Sequence, residues 1–222
     1  MLTFYEEIMV LLLHDENGTF LPVSEHTLNR ALTGAVLMDL AFANRIDTDP
    51  EQLMVIDSNP TGDPLLDRTL ARIAGEKSSA DSRAWIETLS AEEASASHDA
   101  TIRATALEKL VERGVLQRQE EKFLWVFRSR RYPTIDGKVE QEAKKRISDV
   151  LFSDEIPDPR DVALICLVDS CNILRTIYSK REIDRVEPRI EQIRKMDLIG
   201  REMAGAIADI ERAIAIAAAH TF

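Results

Sequence analysis

Five consecutive apolar residues, Phe123, Leu124, Trp125, Val126 and Phe127, run directly into Arg128, Arg130 and Arg131. Rings beside guanidinium groups are suited to docking. Trp favours a bilayer interface because its ring is amphipathic. Each Arg near an anionic surface contributes about 1 kcal/mol of attraction. Between Arg103 and Arg146, 12 Lys and Arg stand against 7 Asp and Glu, a local +5 that leaves −16 on the rest of the chain. The whole chain carries −11, and such a surface repels phosphates on average. Any binding to anionic lipid or nucleic acid must therefore use this local patch. A second basic run, Lys144-Lys145-Arg146, has Glu140 and Glu142 beside it and reads mainly as a solvated helix face.

Residues for catalysis do not assemble in the same way. The four histidines, His14, His26, His98 and His220, show no HExxH or related metal spacing. No Gly-x-Ser-x-Gly elbow occurs. Pro60-Thr61-Gly62-Asp63 lacks the Gly-Lys-Ser/Thr ending of a phosphate loop and reads as a rigid turn capping the next helix. Cys166 and Cys171 lie five apart in a helical pattern, so they point to different faces and read as buried thiols. No catalytic residue, metal or cofactor is expected, and the chain does not read as an enzyme. A bilayer span needs about 20 apolar residues, whereas Ile8–Leu13 and Val162–Val168 are short and bounded by charge. Met1–Glu7 lacks the basic flank of a signal peptide. These features predict a cytoplasmic protein.

The elements that must position the patch are mostly helices. Abundant Ala, Leu, Ile, Glu and Arg, with only 8 Gly and 5% aromatics, argue against an all-β fold. Thr3 and Glu6 read as a capping box before an apolar run through Leu13, and Asp15–Gly18 is a turn. Thr19–Val23 is a short strand. Ser24 caps a helix burying Leu28, Leu32, Ala35, Val36, Leu40 and Ala43. Short strands follow at Arg45–Ile46 and Leu53–Ile56, then a helix at Leu65–Ile73. Gly75–Ser82 is a polar, flexible loop. Arg83–Leu89 is a short helix, and Ser90-Ala91-Glu92-Glu93 caps the next, which leads into Thr101–Arg113. Gly114 closes that helix. Val115–Leu116, a polar turn at Gln117–Glu121 and the β-prone Phe123–Phe127 then predict a hairpin ended by Tyr132-Pro133. Alternation puts Phe123, Trp125 and Phe127 on one face and Leu124 and Val126 on the other. One face then packs on the body while the other meets a membrane or a second subunit; burial of both faces is the alternative. Further helices are predicted at Val139–Leu151, Arg160–Tyr178 behind an Asp158-Pro159 cap, Glu182–Met196 and Ile199–Ala219. The loops are too short to be linkers, so residues 1–222 read as one mainly α-helical domain with short strands and a protruding apolar β-hairpin.

Five segments, in order, resemble the Golgi phosphoprotein 3 family. They are Leu2–Glu7 with its Asp-Glu-Asn-Gly turn, Ala31–Ala41 with Arg45-Ile46, Pro60–Asp67, Trp85–Ser90, and Leu110–Leu116 with its hairpin. The chain looks like a shorter, bacterial-type member. The resemblance implies a single mainly helical domain with a hydrophobic hairpin. In eukaryotic members it implies binding of phosphatidylinositol 4-phosphate at the Golgi and retention of glycosyltransferases through their cytoplasmic tails. The family's headgroup pocket uses a Trp and an Arg near the second helix, and two basic residues three apart at the start of the long helix. Here the Trp position falls near Ser24, the Arg position on Thr33, and the basic pair on Ala100 and Arg103. The leading expectation is thus a peripheral membrane protein binding anionic lipid headgroups. Its candidate residues are Arg103, Thr33, Arg128, Arg130 and Arg131, with the hairpin residues Phe123 to Phe127 entering the headgroup layer.

Two other readings stand beside it. A helix followed by a hairpin resembles a winged-helix nucleic-acid binder, but Glu108, Glu112 and the acidic body argue against nucleic acid. The apolar hairpin could instead join copies of the chain into a homo-oligomer, or hold cytoplasmic tails of membrane enzymes as a scaffold or adaptor.

Overall fold

Thr3 and Glu6 form the capping box their spacing predicts. The Thr3 hydroxyl accepts the Glu6 N–H at 3.3 Å, and the Glu6 carboxylate accepts the Thr3 N–H at 2.8 Å. Two donors that a helix start leaves open are thereby satisfied. The computed structural model describes residues 1–14, 18–48, 52–76, 80–123, 127–135, 137–195, 212–214 and 216, with backbone alone at 120–123 and 127–130. In chain order the elements are α1 (Phe4–Leu11), β1 (Leu13–His14), β2 (Thr19–Phe20), α2 (Glu25–Phe42), β3 (Ile46–Thr48), β4 (Leu53–Val55), α3 (Pro64–Ala74) and α4 (Ser82–Ser95). A single 3-10 turn (His98–Ala100) precedes α5 (Ile102–Glu112), β5 (Gln119–Phe123) and β6 (Phe127–Arg131). The chain continues with α6 (Lys138–Leu151), α7 (Pro159–Ser170), α8 (Leu174–Ile177) and α9 (Lys180–Lys195). Residues 212–214 and 216 are helical as well. The strands form three separate antiparallel pairs, β1–β2, β3–β4 and β5–β6. The fold is mainly α, as the composition predicts.

Every residue of α1 is buried, which places this helix at the centre of the core. It packs against α2, α5 and α6. Glu6 and Glu7 are buried with it, and each is paired. Arg113 meets Glu6 at 2.8 Å, Arg146 meets Glu7 at 2.6 Å, and Arg160 approaches Glu7 at 3.4 Å. Breaking a buried pair strands the remaining charge at a cost of about 3–5 kcal/mol, so these arginines hold the fold. Asp39 of α2 secures the other end of α1. Its two oxygens accept the Phe4 N–H at 3.0 and 2.9 Å. Burial outweighs those bonds and pushes the Asp39 carboxyl up to about 7. One apolar cluster continues from here through α2, α4 and α7 to Ile214. Gly34 lets the last contact happen: a Cβ there would lie 2.3 Å from Ile214 Cδ1.

Several boundaries differ from the sequence expectation. The first helix stops at Leu11, and Leu13 pairs with Phe20 instead. Ser82 does not belong to a flexible loop. It starts α4, is buried, and its hydroxyl lies 2.8 Å from that of Thr48. Ser90 does not cap a new helix, because α4 runs unbroken from Ser82 to Ser95. Glu93 instead reaches out of α4 to cap α5, accepting the Ile102 N–H at 2.5 Å. The serine-to-glutamate spacing was real, but it serves a neighbouring helix rather than its own. The long apolar helix expected over Arg160–Tyr178 breaks after Ser170, where Asn172 takes φ 58° and α8 follows. Asn tolerates the left-handed region because its short amide bonds locally. Most of the predicted helix over 199–219 lies outside the described residues. Cys166 and Cys171 are buried and not joined in a disulfide, as expected.

The hairpin differs in register. Gln119–Glu121, read as a turn, forms most of β5, and Phe123 pairs with Phe127 across the ribbon. Phe123 ends β5 and Phe127 begins β6, and the two-faced alternation predicted for this stretch falls on the residues between them. Leu124, Trp125 and Val126, which join the strands in sequence, lie outside the described residues. The ladder sets Glu120 opposite Arg130 and Gln119 opposite Arg131.

Candidate functional site

Arg103 stands in the first turn of α5, behind the Thr101 cap whose hydroxyl accepts the Ala104 N–H at 3.1 Å. Its guanidinium sits 5.2 Å from the centre of the Phe20 ring, within the range of cation–π attraction. Phe20 in turn packs at 6.2 Å, tilted, against Tyr132, the residue directly after β6. The Tyr132 N–H donates to the Gly18 carbonyl at 2.8 Å. Gly18 takes φ 61°, and a Cβ there would lie 2.3 Å from the Pro133 nitrogen. Only glycine lets the two backbones meet this closely. The hairpin root, the β1–β2 ribbon and Arg103 thus form one continuous surface. Phe20 and Tyr132, which join them, were not singled out in the sequence because their proximity is not local.

Beside that surface, a cleft of about 670 Å³ opens between the N-terminal half of α2, the C-terminal half of α4 and the start of α5. Arg103 forms one wall. His26 and Arg30 of α2 and His98 of the 3-10 turn face it, together with Glu25, Glu87 and Glu93. Ser90 also lines it; this side chain is buried, yet its hydroxyl has no hydrogen-bond partner. Burial pushes the Glu93 carboxyl up, against the opposing effect of the Ile102 N–H it accepts.

Thr33 faces a different space. It is fully buried and lines a smaller cavity of about 310 Å³ with Arg68 and Arg72 of α3, Glu92 and Ala100. Glu93 and Ala96 form the wall shared with the larger cleft. The Thr33 hydroxyl also lacks a partner. Arg72 is held by Glu76 and Glu92 and lies 5.3 Å from the Trp85 ring centre. Arg68 donates to the Ala100 carbonyl at 3.4 Å.

A family model described as Golgi phosphoprotein 3 (GPP34) matches residues 4–210, nearly the whole chain. The chain belongs to the Golgi phosphoprotein 3 family. Among its relatives, a protein named vacuolar protein sorting-associated protein 74 from Eremothecium gossypii is 27% identical over 213 residues, spanning 83% of this chain and 63% of its own length. The protein of the same name from Schizosaccharomyces pombe is 28% identical over 203 residues, spanning 78% and 59% respectively. The chain therefore covers less than two thirds of the length of these relatives.

In this Golgi phosphoprotein 3 chain, the four positions assigned by resemblance to a headgroup pocket are divided. Thr33 and Ala100 border the smaller cavity, while Arg103 borders the cleft. The Ser24 hydroxyl accepts the Thr27 N–H at 3.1 Å and so serves as a helix cap. Arg131 leads from the ribbon into Tyr132, and Arg128 and Arg130 lie in β6 with backbone alone described. The run at 144–146 is occupied within the fold. Lys144 donates to the Leu13 carbonyl and pairs with Glu140, and Lys145 pairs with Asp149. Arg146 holds both Glu7 and Asp161. Among the described residues, no helix is long and apolar enough to cross a membrane.

Proposed function

We propose that this protein is a non-enzymatic peripheral membrane protein that docks on anionic lipid through Arg103 and the adjoining hairpin. The observation that carries this reading is the contact chain from Arg103 through Phe20 to Tyr132 at the hairpin root. It puts a fixed guanidinium beside the ribbon that carries Arg128, Arg130 and Arg131 and the apolar stretch 123–127. Coulomb attraction orients the face first, and the apolar residues then enter the headgroup layer. The acidic remainder of the chain favours that one orientation.

The relatives' name concerns vacuolar protein sorting, which favours an adaptor that uses membrane docking to sort other proteins. Cytoplasmic tails of membrane enzymes are the partners we propose, on the cytoplasmic side, where cysteines outside a disulfide such as Cys166 and Cys171 are ordinary. Association between hairpins of two copies would add avidity to weak lipid contacts. A nucleic-acid role is disfavoured. Glu108 holds Arg118 at 3.2 Å beside the hairpin, so this edge is partly neutralised.

Co-sedimentation with phosphatidylcholine vesicles, with and without phosphatidylserine, tests the proposal. Binding is expected to rise with phosphatidylserine, fall with added salt and weaken in Trp125→Ala. Equal recovery with zwitterionic vesicles, or full binding by Trp125→Ala, refutes it.

A further inference from the structure

We propose that Phe20 is a positioning residue of the docking face, whose ring fixes the Arg103 guanidinium beside the hairpin root and keeps it from neighbouring carboxylates. This rests on the membrane-docking reading above, in which Arg103 meets anionic lipid. Arg103 has carboxylates close by. Glu25 of α2 and Glu87 and Glu93 of α4 line the cleft that Arg103 walls, and Glu93 interacts with the Arg103 backbone N–H. A guanidinium on a flexible stem is a strong partner for such groups, and pairing would cancel the charge that an anionic surface attracts. Yet among the described residues Arg103 forms no ion pair; its guanidinium lies over the Phe20 ring instead. Cation–π attraction holds a charge in place without neutralising it. Arg72, Lys109 and Arg160 also lie over rings, but each pairs with a carboxylate as well.

The ring is itself held from two sides. Phe20 pairs with Leu13 in the β1–β2 ribbon, and the Leu21 N–H donates to the Leu12 carbonyl at 2.8 Å. Leu12 and Leu13 are fully buried, so the ribbon stands on the core where α1 ends. On the other side the ring meets Tyr132, which is buried and tied to Gly18. Phe20 is only half-buried, which leaves part of its ring for Arg103. An aliphatic side chain would fill the space against Tyr132 but would offer a cation no negative π-face. Aromatic character, rather than bulk, is what this position contributes.

The test compares wild type, Phe20→Leu, Phe20→Tyr, Arg103→Gln and Phe20→Leu/Arg103→Gln on phosphatidylcholine vesicles containing phosphatidylserine. Removing one charge near an anionic membrane weakens partitioning roughly fivefold. Arg103→Gln should therefore lose about fivefold, and Phe20→Leu should lose up to that factor. Phe20→Tyr keeps the ring and should bind as the wild type does. The double variant should bind no more weakly than Arg103→Gln alone, because a ring that acts through Arg103 has nothing left to position. A ring that merely packs under the hairpin would weaken Arg103→Gln further, by the same factor as it weakens the wild type. That additivity overturns the proposal, as does wild-type binding by Phe20→Leu or a loss in Phe20→Tyr equal to that in Phe20→Leu, and each leaves the docking reading intact. A wild type with no preference for phosphatidylserine sinks the docking reading instead, and NMR of the Arg103 side chain then decides the positioning role. The guanidinium Nε–H should show an upfield ring-current shift in wild type and Phe20→Tyr, and move downfield in Phe20→Leu as a carboxylate captures it. A resonance unmoved by Phe20→Leu overturns the role.

Discussion

Replacing Gly18 by Ala should detach the hairpin root from the body without unfolding the protein. The new Cβ would fall 2.3 Å from the Pro133 nitrogen and 2.6 Å from Pro133 Cα and the Tyr132 carbonyl carbon. Ordinary carbon contacts begin at roughly 3.5 Å, and every one of these atoms is backbone, so no side-chain rotation relieves the clash. The ribbon must move by about 1 Å, and the 2.8 Å bond from the Tyr132 N–H to the Gly18 carbonyl is then lost. That bond is worth about 1 kcal/mol net. Alanine at φ 61° adds about 1–2 kcal/mol of backbone strain. The sum, about 2–3 kcal/mol, is well below the 5–15 kcal/mol typical of a domain. Urea denaturation should show that loss with an unchanged slope, and binding to phosphatidylserine vesicles should fall as the hairpin shifts relative to Arg103 and Phe20. A Gly18→Ala protein within about 0.5 kcal/mol of wild type would show that the root contact is not tight and would refute the reasoning.

Two further outcomes follow from the core. The Asp39 carboxyl, raised by burial to about 7, keeps its proton in the folded protein over a range where the unfolded chain releases it. Stability is therefore greatest below about pH 4 for this group and falls as pH rises towards 7, by on the order of 4 kcal/mol. Asp39→Asn should remove that part of the slope in urea midpoints measured across this range; an identical slope refutes the assignment. Gly34→Ala sets two effects against each other. Helix propensity favours alanine by about 1 kcal/mol, while overpacking against Ile214 and Leu167 costs about 1–3 kcal/mol. Ile214 Cδ1 is the tip of a side chain and can yield, so a net loss of about 1 kcal/mol is expected by thermal melting. A gain in stability would mean that the C-terminal residues do not pack on α2.

The structure also changes what the basic residues mean. Of the cations counted between Arg103 and Arg146, Arg113 and Arg146 hold the buried glutamates of α1. Lys109 pairs with Asp63 at 2.5 Å and donates to the Tyr5 hydroxyl at 2.8 Å. The local charge excess therefore overstates what faces outward. Arg103 keeps its place on the surface because its partner is an aromatic ring, which leaves the charge intact.

By itself, the sequence determined what depends on neighbours a few residues apart. The Thr3 capping box, the Asp63 and Asp158 caps, Pro159 at the first helical position and the helical class all follow from local hydrogen bonding and periodicity. The ordered family segments were legible for the same reason, and the family match bears them out. Tertiary structure decided whatever rests on partners distant in the chain. Glu93 caps a helix other than its own, and Thr33 and Arg103 face separate spaces. Phe20 and Tyr132 meet more than a hundred residues apart in sequence because Gly18 has no side chain to keep the backbones separated. Periodicity assigns a residue to a face, but only packing decides what stands opposite that face.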